Sequence, residues 1–176
     1  MKNEQERSCQ EDMLKIVDKL SRLDFRQLMD VYIEGNRENG EERYPHLPET
    51  RQIMEAEQDF YQYLHECFFL IKGAVYALWI VDGVYVSALR LEPYQDGLLL
   101  EALETAPSHR QKGYAKALIQ AVLDHVGKEK VYSHVHKKNV SSLRAHEACG
   151  FHRILEHALY VDGSVRSNSC TFCSKS

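Results

Sequence analysis

The stretch LETAPSHRQKGYAKAL, Leu103–Leu118, joins two hydrophobic periods through a short break. Before the break, LLLEALET (Leu98–Thr105) reads as a strand. After it, Ala115, Leu118, Ile119, Val122 and Val126 recur at helical spacing, and Gly127 closes the run. Between them lies Gly113, with Arg110, Lys112 and Lys116 around it. A strand entering a helix through a short loop leaves the first backbone N–H groups of the helix without carbonyl partners. With the helix dipole, those groups attract an anion. Gly113 and Ala115 put little side chain in the way, so the spacing predicts a phosphate-bearing ligand at the helix that begins near Gly113. Taken alone, the loop also reads as a plain helix start with surface lysines. It is not a Walker loop, because the second glycine and the Lys-Ser/Thr ending are missing, and one glycine does not make a dinucleotide fingerprint.

Working outward, Leu14–Leu20 alternates as a short strand. Asp24 and Gln27 resemble a capping box for a helix that carries Phe25, Leu28, Met29 and Tyr32 on one face, with Gly35 as its stop. Asn36–Glu49 is polar, contains Pro45 and Pro48, and is expected to be a long loop. Ile53, Ala56, Phe60, Leu64, Cys67 and Phe68 mark a second helix. The period then becomes two: Ala74–Val81 and Val84–Glu92 flank Asp82-Gly83, a hairpin signal. After the Gly113 helix come a strand at Val131–His136, a short helix at Ser141–Cys149, and a hairpin of Ile154–Val161 and Val165–Phe172 around Asp162-Gly163. The expectation is one mixed α/β domain over residues 1–176, with residues 1–12 flexible and no internal repeat.

A length of 176 residues, 44% of them hydrophobic, suits one domain with a packed core. A net charge of -4 argues against a general nucleic-acid binder, and no apolar run approaches a membrane span. The start, MKNEQERSCQED, has no apolar segment of an export signal. The five cysteines are therefore expected to be reduced and the protein cytoplasmic.

Arg110-Gln111-Lys112-Gly113-Tyr114-Ala115 resembles the R/Q-x-x-G-x-G/A signature of the GNAT N-acetyltransferases. Upstream, LETAPSHR resembles the strand end and Pro-containing turn before that signature. Downstream, NVSSLRAHEACGF (Asn139–Phe151) resembles the family's second motif, an Asn, a short helix and a terminal Gly-Phe. The order of elements resembles the family fold from about Leu14 to Phe172. The resemblance implies a central, mostly antiparallel twisted sheet flanked by helices and splayed between its fourth and fifth strands. It implies acetyl-CoA as donor, with the pyrophosphate on the helix-entrance amides and the pantetheine arm beside Leu103, Glu104 and Thr105. The cofactor-binding set is then Leu103, Glu104, Thr105, Arg110, Gln111, Lys112, Gly113, Tyr114, Ala115, Lys116, Asn139 and Ser142.

The implied reaction is direct attack by a primary amine on the thioester. An alkylamine is only roughly 0.1% free base at neutral pH, so a base must take its proton. Glu101 is the first candidate; it shares strand parity with Leu99, Leu103 and Thr105. Pairing with Arg90 is the alternative reading of that carboxylate. Glu104 is the second candidate and points to the other face unless a bulge shifts the parity. A backbone N–H of the same strand would stabilise the oxyanion. Many relatives carry a Tyr four residues before the Gly of the Gly-Phe pair; here His146 stands there as candidate proton donor to the thiolate. Tyr32, Tyr44 and His46 are expected to line the acceptor site. The acceptor is expected to be a small-molecule amine, a peptide N-terminus or a lysine, with no nucleic acid or membrane partner. A homodimer through the C-terminal hairpin is a further expectation. A domain of the same fold that binds acyl-CoA as a sensor, without catalysis, is the alternative function.

Two motifs carry little weight. His134 and His136 share a strand face, but no further ligand is placed with them, so no metal is expected. Cys170-Thr171-Phe172-Cys173 ends a strand, whereas a redox C-x-x-C would open a helix.

Overall fold

The structure, a computed structural model, describes residues 12–175. The expected flexible start, apart from Asp12, and Cys9 lie outside the described residues. Strand β1 (Met13–Val17) leads to three helices, α1 (Phe25–Val31), α2 (Ile33–Arg43) and α3 (Glu49–Glu66). Strands β2 (Val75–Val81), β3 (Val84–Tyr94) and β4 (Gly97–Thr105) form a meander; α4 (Tyr114–Val126), β5 (Lys130–His136) and α5 (Val140–Ala148) follow. The chain ends with β6 (His152–Leu155), β7 (Ala158–Leu159), β8 (Val165–Arg166) and β9 (Ser169–Cys173).

Seven strands make one sheet in the order β1-β2-β3-β4-β5-β9-β6. All its pairs are antiparallel except β4 with β5. Helices cover both faces because the strands alternate apolar residues to both sides. Tyr76, Leu78 and Ala88 pack with Leu28, Met29, Leu64 and Phe68 of the first helical layer. Ala77, Leu89, Leu91 and Leu100 pack with Leu118, Ile119 and Val122 of α4.

One expectation fails outright. Residues 36–49 are not a loop: α2 runs to Arg43, and only a short connector remains before α3. Its sequence has no apolar stripe because its contact face is built from Asn36 and Gly40, both buried. A Cβ at Gly40 would lie 2.5 Å from the Gln52 carbonyl oxygen, so the missing side chain is what lets α2 and α3 touch. Arg37–Glu49 at 3.2 Å and Arg43–Asp59 at 2.7 Å bridge the same two helices. Gly35 is therefore no stop; α1 ends at Tyr32 and α2 follows at once.

The capping box is half formed. Asp24 accepts from the Gln27 N–H at 3.1 Å, but Gln27 Oε1 accepts from the backbone of Tyr85 instead of closing the box. The first strand stops at Val17, short of Leu20. The C-terminal hairpin is shorter than expected. Its turn forms, with Gly163 at φ 81, yet only the two-residue β7 and β8 pair around it. The rest of the second arm becomes β9, which inserts between β5 and β6 and takes its backbone partners from them.

Candidate active site

The parallel ladder between β4 and β5 runs from Gly97↔Lys130 to Leu100↔Ser133 and stops, although both strands continue. The splay expected between the fourth and fifth strands begins there. On its other edge β4 carries a bulge: Arg90 pairs with Glu101, but Ala88 pairs with Glu104. Two residues of β3 are thus matched by three of β4, with Ala102 at φ 51 absorbing the extra residue. The bulge reverses the parity beyond it. Arg90 and Ala88 share a face of β3, so Glu101 and Glu104 share a face of β4. Leu103 faces the α4 layer instead. The expected grouping of Glu101 with Leu103 and Thr105, and its separation from Glu104, is corrected by this one residue.

Two concavities meet along this half of β4. The first, about 840 Å³, is a groove between the end of β4 and the starts of α4 and α5. Leu103, Glu104 and Thr105 form its strand wall. Arg110, Gln111 and Gly113 line it from the loop, and Tyr114, Ala115 and Lys116 from the first turn of α4. Asn139, just before α5, and Ser142, in its first turn, face it. Of the residues expected here, Lys112 alone is not on the wall. Ser141, Arg144, Ala145 and Ala148 of α5 were not foreseen. They complete one wall, and only the packing of α5 beside α4 reveals it.

Gly113 is the N-terminal flanking residue of α4, in the left-handed region at φ 84, and no side chain caps the helix. The first bond back into the helix is Ala117 N–H to Gly113 O at 3.0 Å, so the amides ahead of it have no intrahelical acceptor. Gln111, at φ 62, adds a second left-handed residue to the loop, the kind of alternation that gathers N–H groups into an anion-binding nest. Arg110 departs from its expected part. It donates from Nε to Thr105 O at 3.2 Å, and its guanidinium meets Glu34 at 2.6 Å and Glu104 at 3.8 Å. It ties the loop to α2 and β4, which leaves Lys116 and Arg144 as the cations on the groove wall. Burial pushes the Glu104 carboxyl up, partly offset by Arg110. Asn139 Oδ1 accepts from Ser142 N–H at 3.0 Å and so caps α5, leaving its amide NH₂ to act as donor.

The second concavity, about 580 Å³, lies between β4, α2 and α3. Glu101 and Ala102 line it from the strand, Asn36, Asn39 and Arg43 from α2, and Asp59, Phe60 and Tyr63 from α3. Tyr32 lines it as well; its hydroxyl donates to Ala102 O at 2.6 Å and accepts from Tyr76 at 3.3 Å. Burial pushes both phenols up, Tyr76 to about 12, so neither is an acid near neutrality. Tyr44 is not on the wall but donates to Asp59, which is, at 2.7 Å. His46 is exposed on the connector and lines neither concavity. Arg90 lines the cavity 3.7 Å from Glu101. It was read only as a partner of Glu101. The signal for more was a charged residue inside the apolar alternation VYVSALRLE.

His146 is 1% exposed and lines neither concavity. Its Nδ1 lies 2.8 Å from Ser142 O, and a carbonyl only accepts, so Nδ1 carries the proton. Nε2 is then a lone pair, buried with no partner among the described residues. A neutral imidazole in this tautomer has no free proton for a leaving thiolate, which removes the geometric basis for the expected donor. His134 has its Nδ1 on Thr171 Oγ1 at 3.1 Å and also a buried, unpartnered Nε2.

Burial lowers both imidazoles below the ordinary 6.5. The folded protein therefore binds fewer protons than the unfolded chain as the pH falls through 6.5 toward the depressed values. Stability is fully present above that window and is lost on acidification, by at most about 1.4 kcal/mol per pH unit for His146. Thermal unfolding from pH 7.5 to 5 should show this fall, and His146→Phe should make it shallower. An unchanged slope in the variant would remove His146 as a source.

Residues 29–151 match the Acetyltransferase (GNAT) family. No curated protein matches the chain. Among solved structures, the chain is similar to a PaiA N-acetyltransferase from Thermoplasma acidophilum in complex with coenzyme A, at 15% identity, TM-score 0.58, over 93% of this chain and 99% of that one. It is also similar to the ribosomal-protein-S18-alanine N-acetyltransferase from Escherichia coli, at 16% identity, TM-score 0.56, over 92% of each chain. A spermidine N-acetyltransferase chimera from Vibrio cholerae SpeG and hSSAT aligns at 20% identity, TM-score 0.56, over 91% and 93%. At these identities the likeness is one of fold.

Proposed function

The chain belongs to the GNAT acetyltransferase family, and on that premise we propose that it transfers an acetyl group from acetyl-CoA to a primary amine by direct attack. The observation that carries this reading is the meeting of two concavities at the β4 bulge, one rimmed by free helix amides and the other by carboxylates. The groove residues fit the donor. The uncapped start of α4 offers N–H groups to a pyrophosphate, with Lys116 beside them. Past Leu100 the edge of β4 that faces β5 has no partner strand, which leaves main-chain groups for an amide-bearing arm. When bound, the donor supplies an activated acetyl thioester.

Glu101 takes the proton of the incoming amine. It stands on the cavity wall one residue before the bulge, so an amine there lies beside the strand edge that lines the groove. A main-chain N–H at the bulge stabilises the charge that develops on the carbonyl oxygen. The proton for the sulfur comes from solvent in the groove, since His146 is sealed and Nδ1-protonated.

Wild-type protein titrated with coenzyme A should gain thermal stability, with the gain rising as the ligand exceeds its Kd. Acetyl-CoA with an amine panel should release free thiol only when the acceptor is present. A shift without amine-dependent release would leave an acyl-CoA-binding module. Absence of any shift would overturn the donor site.

A further inference from the structure

The acceptor cavity holds two ion pairs of unequal completeness. Asp59 meets Arg43 at 2.7 Å and accepts from Tyr44 at 2.7 Å, so that carboxylate is satisfied. Arg90 Nη2 stands 3.7 Å from Glu101 Oε2, beyond hydrogen-bond reach, and Arg90 Nε is buried with no partner among the described residues. The two side chains are only 16% and 22% exposed, so water solvates them poorly. Tyr63 and Phe68 hold the Arg90 guanidinium from 4.9 and 5.4 Å. Those rings attract the cation through their faces but accept no hydrogen bond in its plane. A poorly solvated guanidinium with its fork unengaged is costly, and the partner that fits the fork is a carboxylate.

We infer that the acceptor is a zwitterion, an α-amino acid or close analogue, whose carboxylate engages Arg90 while its amine faces Glu101. This rests on the acyl-transfer reading and narrows its acceptor. Arg90 is then the specificity-determining residue. A ligand carboxylate that takes over the Arg90 fork also releases Glu101 from its nearest cation, so recognition and freeing of the base are one event. A diamine has no carboxylate to offer Arg90, and on this wall the charges of Arg43 and Arg90 are already matched by Asp59 and Glu101. In the transfer, Glu101 takes one ammonium proton, the nitrogen lone pair forms the N–C bond while the carbonyl oxygen takes the π pair, and the collapse of that oxyanion breaks the C–S bond. Sulfur keeps the electron pair of that bond, and a second nitrogen proton reaches it through solvent.

The test is thiol release from acetyl-CoA with matched acceptors that differ only in the carboxylate: L-phenylalanine against phenethylamine, L-lysine against cadaverine, with spermidine as a polycation. The amino acid of each pair should have a kcat/KM at least about tenfold higher, the scale of one charge-assisted bidentate contact. Arg90→Gln should abolish the preference without changing coenzyme A affinity. Arg90→Lys, which keeps the charge but not the fork, should retain only part of it. If the Gln variant does not fold, the wild-type ratios and the Lys variant still decide. Equal or reversed ratios in the wild type, or thiol release with spermidine or the simple amines but not with the amino acids, overturn the zwitterion. They leave the acyl-transfer reading standing. Failure of the wild type to bind coenzyme A, or to release thiol with any amine, overturns that reading and the zwitterion with it.

Discussion

Gly113→Val is expected to lower the affinity for coenzyme A by at least about a hundredfold, the equivalent of losing two charge-assisted amide–phosphate hydrogen bonds. A side chain at this position meets nothing within 4 Å and stands on the wall of the groove proposed for the phosphates. The same glycine is left-handed at φ 84, a conformation that costs a residue with a Cβ about 1–2 kcal/mol. The variant therefore loses stability as well as affinity, with a Tm lower by a few degrees for a chain of this size. The two effects separate through Gly163, which has φ 81, equally open surroundings, and a place in the C-terminal turn away from the groove. Gly163→Val should show the same loss of Tm and unchanged coenzyme A affinity by calorimetric titration. Equal affinity in the two variants would end the phosphate role of the α4 entrance.

Glu101→Gln should reduce kcat by about 10²–10⁴-fold, the range of a positioned general base, with coenzyme A affinity intact. Glu104 supplies the necessary comparison. The bulge turns both carboxylates to one face, yet Glu101 lines the acceptor cavity and Glu104 lines the groove beside Arg110. Glu104→Gln should therefore leave kcat within about tenfold of the wild type, because it removes no base from the amine. It should act on coenzyme A affinity instead, by loosening Arg110 from the strand end. If the Glu104 variant is the slower one, the roles of the two residues are exchanged. If neither variant slows turnover, the proton leaves the amine without a protein base.

Period and punctuation decided much of this protein in one dimension. The meander of β2 to β4, the helix behind Gly113, β5 and the short helix α5 all follow from alternation, helical spacing, Asp82-Gly83 and Gly113. Each of those signals is local, set by sterics or hydrogen bonding within a few residues, so it survives without knowledge of the fold. The phosphate end of the groove was legible in Gly113 and the cations beside it, whereas its strand wall and Asn139 came from the resemblance of two short motifs to the GNAT family. Three things were not legible. Helix α2 has no apolar stripe, because its buried positions are Asn36 and Gly40, and only the Gln52 backbone lying against Gly40 shows why the segment is helical. The cavity beside Glu101 gathers Asn39, Arg43, Asp59, Arg90 and Glu101 from four separate elements, which no linear spacing encodes. The side to which Glu104 points turns on one extra residue at Ala102, and the burial of His146 on how α5 packs against Phe151 and Phe172. Parity and exposure are relations between strands and layers, so they come into existence only when the chain is folded.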